Sequence, residues 1–199
     1  MKTKNNDNVL KQIFVTQTHG YLDVNSKREL FSEISKSFNG ELVIKHTPSY
    51  VLEIFNISIP YKNLRIEISE SDTKPLKVQI SFDSLQDFEL FISWEDTIEK
   101  ILKRIGKPEI EIGNKDFDDH YLIKTNKSYL TKELITKDIQ AYLLKYNVYS
   151  ISITTDQKSK KAKILSVISR TFNNKKSYED IIILHQLLID QLFKEKIIK

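Results

Sequence analysis

The stretch Asn63–Phe82, NLRIEISESDTKPLKVQISF, decides the fold class. Its first half sets Leu64, Ile66 and Ile68 against Arg65, Glu67 and Ser69. Its second half sets Leu76, Val78, Ile80 and Phe82 against Lys77, Gln79 and Ser81. Side chains on a strand point to alternate faces, so each half reads as a strand with one apolar and one wet face. The residues between them, SDTKP at 71–75, carry turn chemistry. One wet face is a property of antiparallel sheets, because parallel sheets are covered on both sides.

Outward from this hairpin the same period continues upstream in ELVIKHT and SYVLEIFNISI. Before them, NSKRELFSEISKSFNG changes to helical spacing. Asn25 or Ser26 is the expected cap, with Glu29 as capping-box partner; Leu30, Phe31, Ile34 and Phe38 form the stripe, and Gly40 the stop. A weaker helical spacing runs through Val9, Leu10, Ile13 and Phe14, and residues 1–8 read as a disordered terminus. Downstream, FELFISW (88–94) fits either a strand or the lead into the next helix. WEDTIEKILKRIGKPE predicts a helix that buries Ile98, Ile101, Leu102 and Ile105 and ends at Gly106 and Pro108.

HYLIKT predicts a short strand, and Ser128 to Tyr146 a mostly helical stretch. VYSISITT (148–155) and AKILSVISRTF (162–172) predict two strands linked by DQKSKK. The last helix, SYEDIIILHQLLIDQLFKEKI, is capped by Ser177 and buries Tyr178, Ile181, Ile182, Leu184, Leu188, Ile189 and Leu192. Strands come in runs instead of alternating singly with helices. The expected fold is therefore α+β, with antiparallel sheet segments packed against amphipathic helices, including a long C-terminal helix. Residues 9–199 read as one domain, with a subdivision near 106–116 into two sheet-plus-helix halves left open.

The totals exclude several functions. The chain has 199 residues, 40% of them hydrophobic, enough to bury a core. It has no cysteine, so disulfides, thiolate metal sites and a cysteine nucleophile are out. No apolar run approaches the ~18 residues that span a bilayer. A soluble, cytoplasmic protein is expected. The four glycines, at 20, 40, 106 and 113, are too dispersed for a phosphate-binding loop, and neither G-x-S-x-G nor H-E-x-x-H occurs. No cofactor is expected.

Two clusters remain as candidate sites. In NKDFDDHY (114–121), an extended backbone would point Asp116, Asp118 and His120 to one face, as ligands for Zn²⁺ or Mn²⁺ able to activate water. The competing reading is a turn. There Phe117 and Tyr121 anchor the core, and Asp118 accepts backbone hydrogen bonds. The second cluster is basic. Residues 121–199 carry 15 Lys and Arg against 7 Asp and Glu, whereas residues 1–120 carry 16 against 20. Within the basic part, Lys158, Lys160, Lys161 and Lys163 could meet phosphates, in a nucleic acid for example. No arginine or aromatic side chain interleaves them, which argues against stacking on bases. The other histidines, His19, His46 and His185, are scattered.

The stretch GNKDFDDHYLIKTN resembles the G-[D/N]-x-x-F-D-x-x-[F/Y]-x-[V/I]-K element of uncharacterised bacterial α+β domains. Gly113, Phe117, Asp118, Tyr121 and Lys124 match it, and Asn114 stands where Asp is common. The outline of those domains covers residues 26–193. The resemblance implies an α+β fold and no assigned activity, in a group many of whose members also carry membrane segments. The leading expectation is a non-catalytic interaction or accessory module with a protein partner. The alternatives are a metal-dependent enzyme at Asp116, Asp118 and His120, or a nucleic-acid binder through Lys158–Lys163. The wide apolar face of the last helix, with Ile183 and Leu187 beyond the main stripe, suits a core helix or a homodimer contact.

Overall fold

The computed structural model describes residues 24–46, 53–94, 108–168 and 172–198. The expected helices over 9–17 and 95–105, and the terminus 1–8, lie outside these residues. Helix α1 (Val24–Ser37) leads into strands β1 (Glu41–His46), β2 (Glu53–Tyr61), β3 (Leu64–Ser71), β4 (Lys74–Asp83) and β5 (Leu90–Trp94). Strand β6 (Glu109–Ile110), the one-turn helix α2 (Lys115–Asp118) and strand β7 (Tyr121–Thr125) follow. Helices α3 (Ser128–Leu134) and α4 (Lys137–Tyr146), strands β8 (Val148–Thr155) and β9 (Lys161–Ile168), and helix α5 (Lys175–Lys194) complete the order.

The nine strands of the described residues join one sheet in the order β1-β2-β3-β4-β9-β8-β5-β7-β6, and every pairing among them is antiparallel. The fold is α+β. The hairpin read first is present: β3 and β4 pair Ile68 with Val78, and the connecting turn is narrower than expected, with Ser71 already opposite Lys74. Its alternation holds in space. Ile66, Ile68, Leu76, Val78, Ile80 and Phe82 are buried, while Arg65, Glu67, Lys77 and Ser81 lie on the more open side.

The helices gather on the apolar face. Phe31 of α1 packs against Phe55 of β2 and Tyr178 of α5, and Thr131 of α3 bonds Thr125 of β7. Helix α4 joins through the Tyr121 hydroxyl, which donates to the carbonyls of Leu143 and Val148. The long helix α5 runs through the middle of this layer with its main stripe wholly buried. Ile183 and Leu187 are half-buried at its margin.

Several boundaries differ from expectation. Val24 is already helical, so Asn25 and Ser26 lie inside α1 and not ahead of it. At its end Asn39, at φ 51°, takes the left-handed position, and the Gly40 amide returns to the Ser35 carbonyl at 2.7 Å. Gly40 is needed for space instead: a Cβ there would meet Ile59 Cγ1 and the Ser58 carbonyl, both at 3.1 Å. The mostly helical stretch expected over 128–146 is two helices parted at Ile135, and Thr136 caps the second by accepting from the Ile139 amide. Helix α5 is capped by Asn174, whose Oδ1 accepts from the Ser177 amide and hydroxyl.

Candidate functional site

The segment 114–121 is not extended. Asn114 precedes the short helix α2, which seats Phe117 in the core against Tyr121. The helical turn sends the polar side chains in different directions. Asp118 accepts the amides of Ile112 and Gly113, both at 2.8 Å, and so holds Gly113 in its left-handed turn at φ 93°. The His120 Nε2–H donates to Asn147 Oδ1 at 2.9 Å, and the ring lies edge-on to Tyr121. Asp116 is exposed. Asn114 donates to Gln140, tying the turn to α4. Among the described residues, no group of three His, Asp or Glu is placed to hold a metal ion. The extended backbone that would align Asp116, Asp118 and His120 on one face is not adopted.

The four lysines also part company. Lys158 and Lys160 sit at the tip of the β8–β9 hairpin, where Asp156 Oδ1 accepts the amides of Lys158 and Ser159. Hydrogen bonds from Ser159 and Lys158 hold the Asp156 carboxyl below the usual carboxylate range. Lys161 pairs with Asp83 at 2.5 Å. Lys163 lies opposite Ser81 and Thr154, on the face of the sheet away from the helices.

That face is built by the residues that alternate with the core. Across β3, β4, β9 and β8, one row runs Ser69, Lys77, Val167, Ser150 and the next Glu67, Gln79, Leu165, Ser152. A third row sets Ser81, Lys163 and Thr154 beside one another. Val167 is half-buried between Lys77 and Ser150, and Leu165 between Gln79 and Ser152. Ser81, Thr154, Lys161 and Lys163 line an open concavity at the β4–β9–β8 end.

The reactive-looking groups missed in the sequence lie between helices and sheet. Glu70 follows Ile66 and Ile68 on the buried side of β3, a position its parity alone would have flagged. Its carboxylate meets Lys27 Nζ at 2.9 Å and accepts the Tyr178 hydroxyl at 2.6 Å. Burial raises the Glu70 carboxyl, against the pull of Lys27 and Tyr178, and raises the Tyr178 phenol too. Burial works to lower the Lys27 ammonium, but Glu70 and Asp72 hold it raised overall. With Lys27 and Glu70 both sealed from solvent, this set fastens α1, β3 and α5 together.

A second set surrounds Asp180 on α5. Tyr146 donates to its Oδ2 in a short hydrogen bond, Lys145 lies 2.9 Å from Oδ2, and Lys176 lies 2.8 Å from Oδ1. Burial pushes the Asp180 carboxyl up, but its bonds with Lys176, Tyr146 and Lys145 prevail and bring it to about 2. His185 is fully buried. Its Nδ1–H donates to the Ile181 carbonyl at 2.7 Å, and Nε2 accepts from Ser166 at 2.8 Å. Burial lowers the imidazole to about 4, so the ring is neutral. Each group is spent on joining one element to another.

Comparison with known proteins leaves the fold as the shared feature. No protein-family model and no curated protein matches the chain. No helix among the described residues is long and apolar enough to cross a membrane. The chain is similar to the crystal structure of the mycobacterial trehalose monomycolate transport factor A, TtfA, with a TM-score of 0.51 and 6% sequence identity. The match covers 82% of this chain and 93% of that one, and at that identity the similarity is one of fold.

Proposed function

We propose that this chain is a non-catalytic accessory module that docks a protein partner on the outer face of β3, β4, β9 and β8. One observation carries the reading: Leu165 and Val167 stand half-buried in the centre of that face, Leu165 between Gln79 and Ser152 and Val167 between Lys77 and Ser150, with Glu67, Ser69 and Lys163 beyond them. Apolar residues surrounded by hydroxyls, an amide and charges of both signs make an adaptable contact surface with a polar rim. The similar chain TtfA bears the name of a transport factor, and an accessory role is in keeping with that name.

The test is capture of partners by tagged protein from native lysate, with and without nuclease, using wild type and Val167→Asp. A nuclease-resistant partner lost in the variant supports the reading. Capture that is nuclease-resistant but indifferent to Val167→Asp overturns the assigned face. Capture abolished by nuclease, and by changing Lys158, Lys160, Lys161 and Lys163 to Gln, transfers the function to nucleic-acid binding.

A further inference from the structure

We infer that two copies of this chain join edge to edge through β1, continuing the sheet across a two-fold axis at Val43. Among the described residues the sheet has two edges. One is β6, only two residues long and begun by Glu109, so it offers little to pair with. The other is β1, six residues long, and among the described residues nothing pairs with its outer side. Such an edge turns every second N–H and C=O outward. Its side chains are incompletely covered as well. Leu42 and Ile44 pair with Ile57 and Phe55 over the core yet remain half-buried, and Val43 is 47% exposed. The main apolar stripe of α5, by contrast, is consumed by its own core.

Symmetry limits how two β1 strands can meet. Residues opposite each other in an antiparallel pair lie on the same side of the sheet, and a two-fold perpendicular to the sheet keeps each side on itself. Only residues of like parity can therefore face each other. Centring on Val43 sets Val43 against the partner's Val43, Leu42 against the partner's Ile44, and Glu41 against the partner's Lys45. The last two contacts each occur twice. The Leu–Ile pairs extend the core layer, and the Glu–Lys pairs flank the valines on the outer face, where both charged side chains are exposed in the single chain. Centring on Ile44 instead sets Lys45 against Val43 and Leu42 against His46. Charge complementarity selects the first register.

Sedimentation equilibrium of the full chain tests this without reference to any other partner. A contact this small calls for concentrations up to about 200 µM. Wild type is expected to dimerise in that range. Glu41→Lys and Lys45→Glu each turn two attractive pairs into repulsive ones and should weaken the dimer about tenfold or more. The double variant E41K/K45E re-forms both pairs with the charges exchanged and should recover the wild-type affinity. A wild type that stays monomeric overturns the inference. So does a dimer indifferent to either single change, or a double variant no tighter than the singles.

Discussion

Removing the carboxylate of Asp118 would strand the amides of Ile112 and Gly113, which it binds at 2.8 Å each. In this half-exposed loop, Asp118→Ala should cost about 1–2 kcal/mol in urea unfolding, and Asp118→Asn, which keeps one acceptor, about half of that. Equal losses in both variants would show that the two bonds stand or fall together. His185 gives a pH signature. Its imidazole titrates near 4 when folded and near 6.5 when unfolded, so the unfolded chain binds the extra proton between those values. Its contribution to stability is therefore complete above about pH 6.5 and falls by up to about 1.4 kcal/mol per pH unit as pH drops towards 4. The Glu70 carboxyl, raised by burial, gains its proton more readily in the folded chain and opposes that loss on the acid side. The clean measurement is thus the difference between wild type and His185→Gln across this window. Parallel curves would sink the assignment.

At the level of elements, the end of α1 depends on two adjacent residues with different tasks. Asn39 tolerates a left-handed backbone, so Asn39→Gly should leave stability unchanged or raise it by up to about 1 kcal/mol. Gly40→Ala should lower it by about 1–3 kcal/mol, because its Cβ would press on backbone as well as side chain of β2. Paired chemical denaturation curves would check both, and a harmless Gly40→Ala would mean that β2 moves aside. The residues show a stop at this point but not the division of labour. Spacing reports where a helix ends, whereas the approach of β2 is a tertiary fact. The same limit explains the other boundary differences. Leu90–Trp94 reads ambiguously because four of its five residues are buried, so both faces are covered and the alternation vanishes. By comparison β3 and β4 are plain, since one of their faces stays wet. The break at Ile135 has a local sign in Thr136, a capping residue placed before the next apolar run.

Across the whole molecule, strand existence is written in the residues and strand order is not. No period in β4 says that its second neighbour is β9, because pairing partners are chosen by the core that both share. The candidate site is similarly half-readable. The turn role of Asp118 follows from its chemistry, but the outer face takes shape only once Lys77 lies opposite Val167 and Ser81 opposite Lys163. The order of the sheet sets a gradient of local stability. Amides in β4, β9 and β8, flanked on both sides, should exchange with solvent deuterium most slowly. Those of β6 and, in dilute protein, β1 should exchange first. Uniform rates across the sheet would contradict this gradient.

The pairing of β4 with β9 also bears on how the chain is made. About 80 residues separate the two strands, which at ordinary rates of translation is roughly 4 to 16 s of synthesis. The meander β1–β4 is complete long before then, while Leu76–Asp83 waits for the partners it meets in β9. During those seconds the nascent chain carries a bare strand edge beside an apolar face. A ribosome that stalls before β9 emerges would therefore leave a fragment prone to sticking to its neighbours, and holdase chaperones should be found on it until the ninth strand arrives.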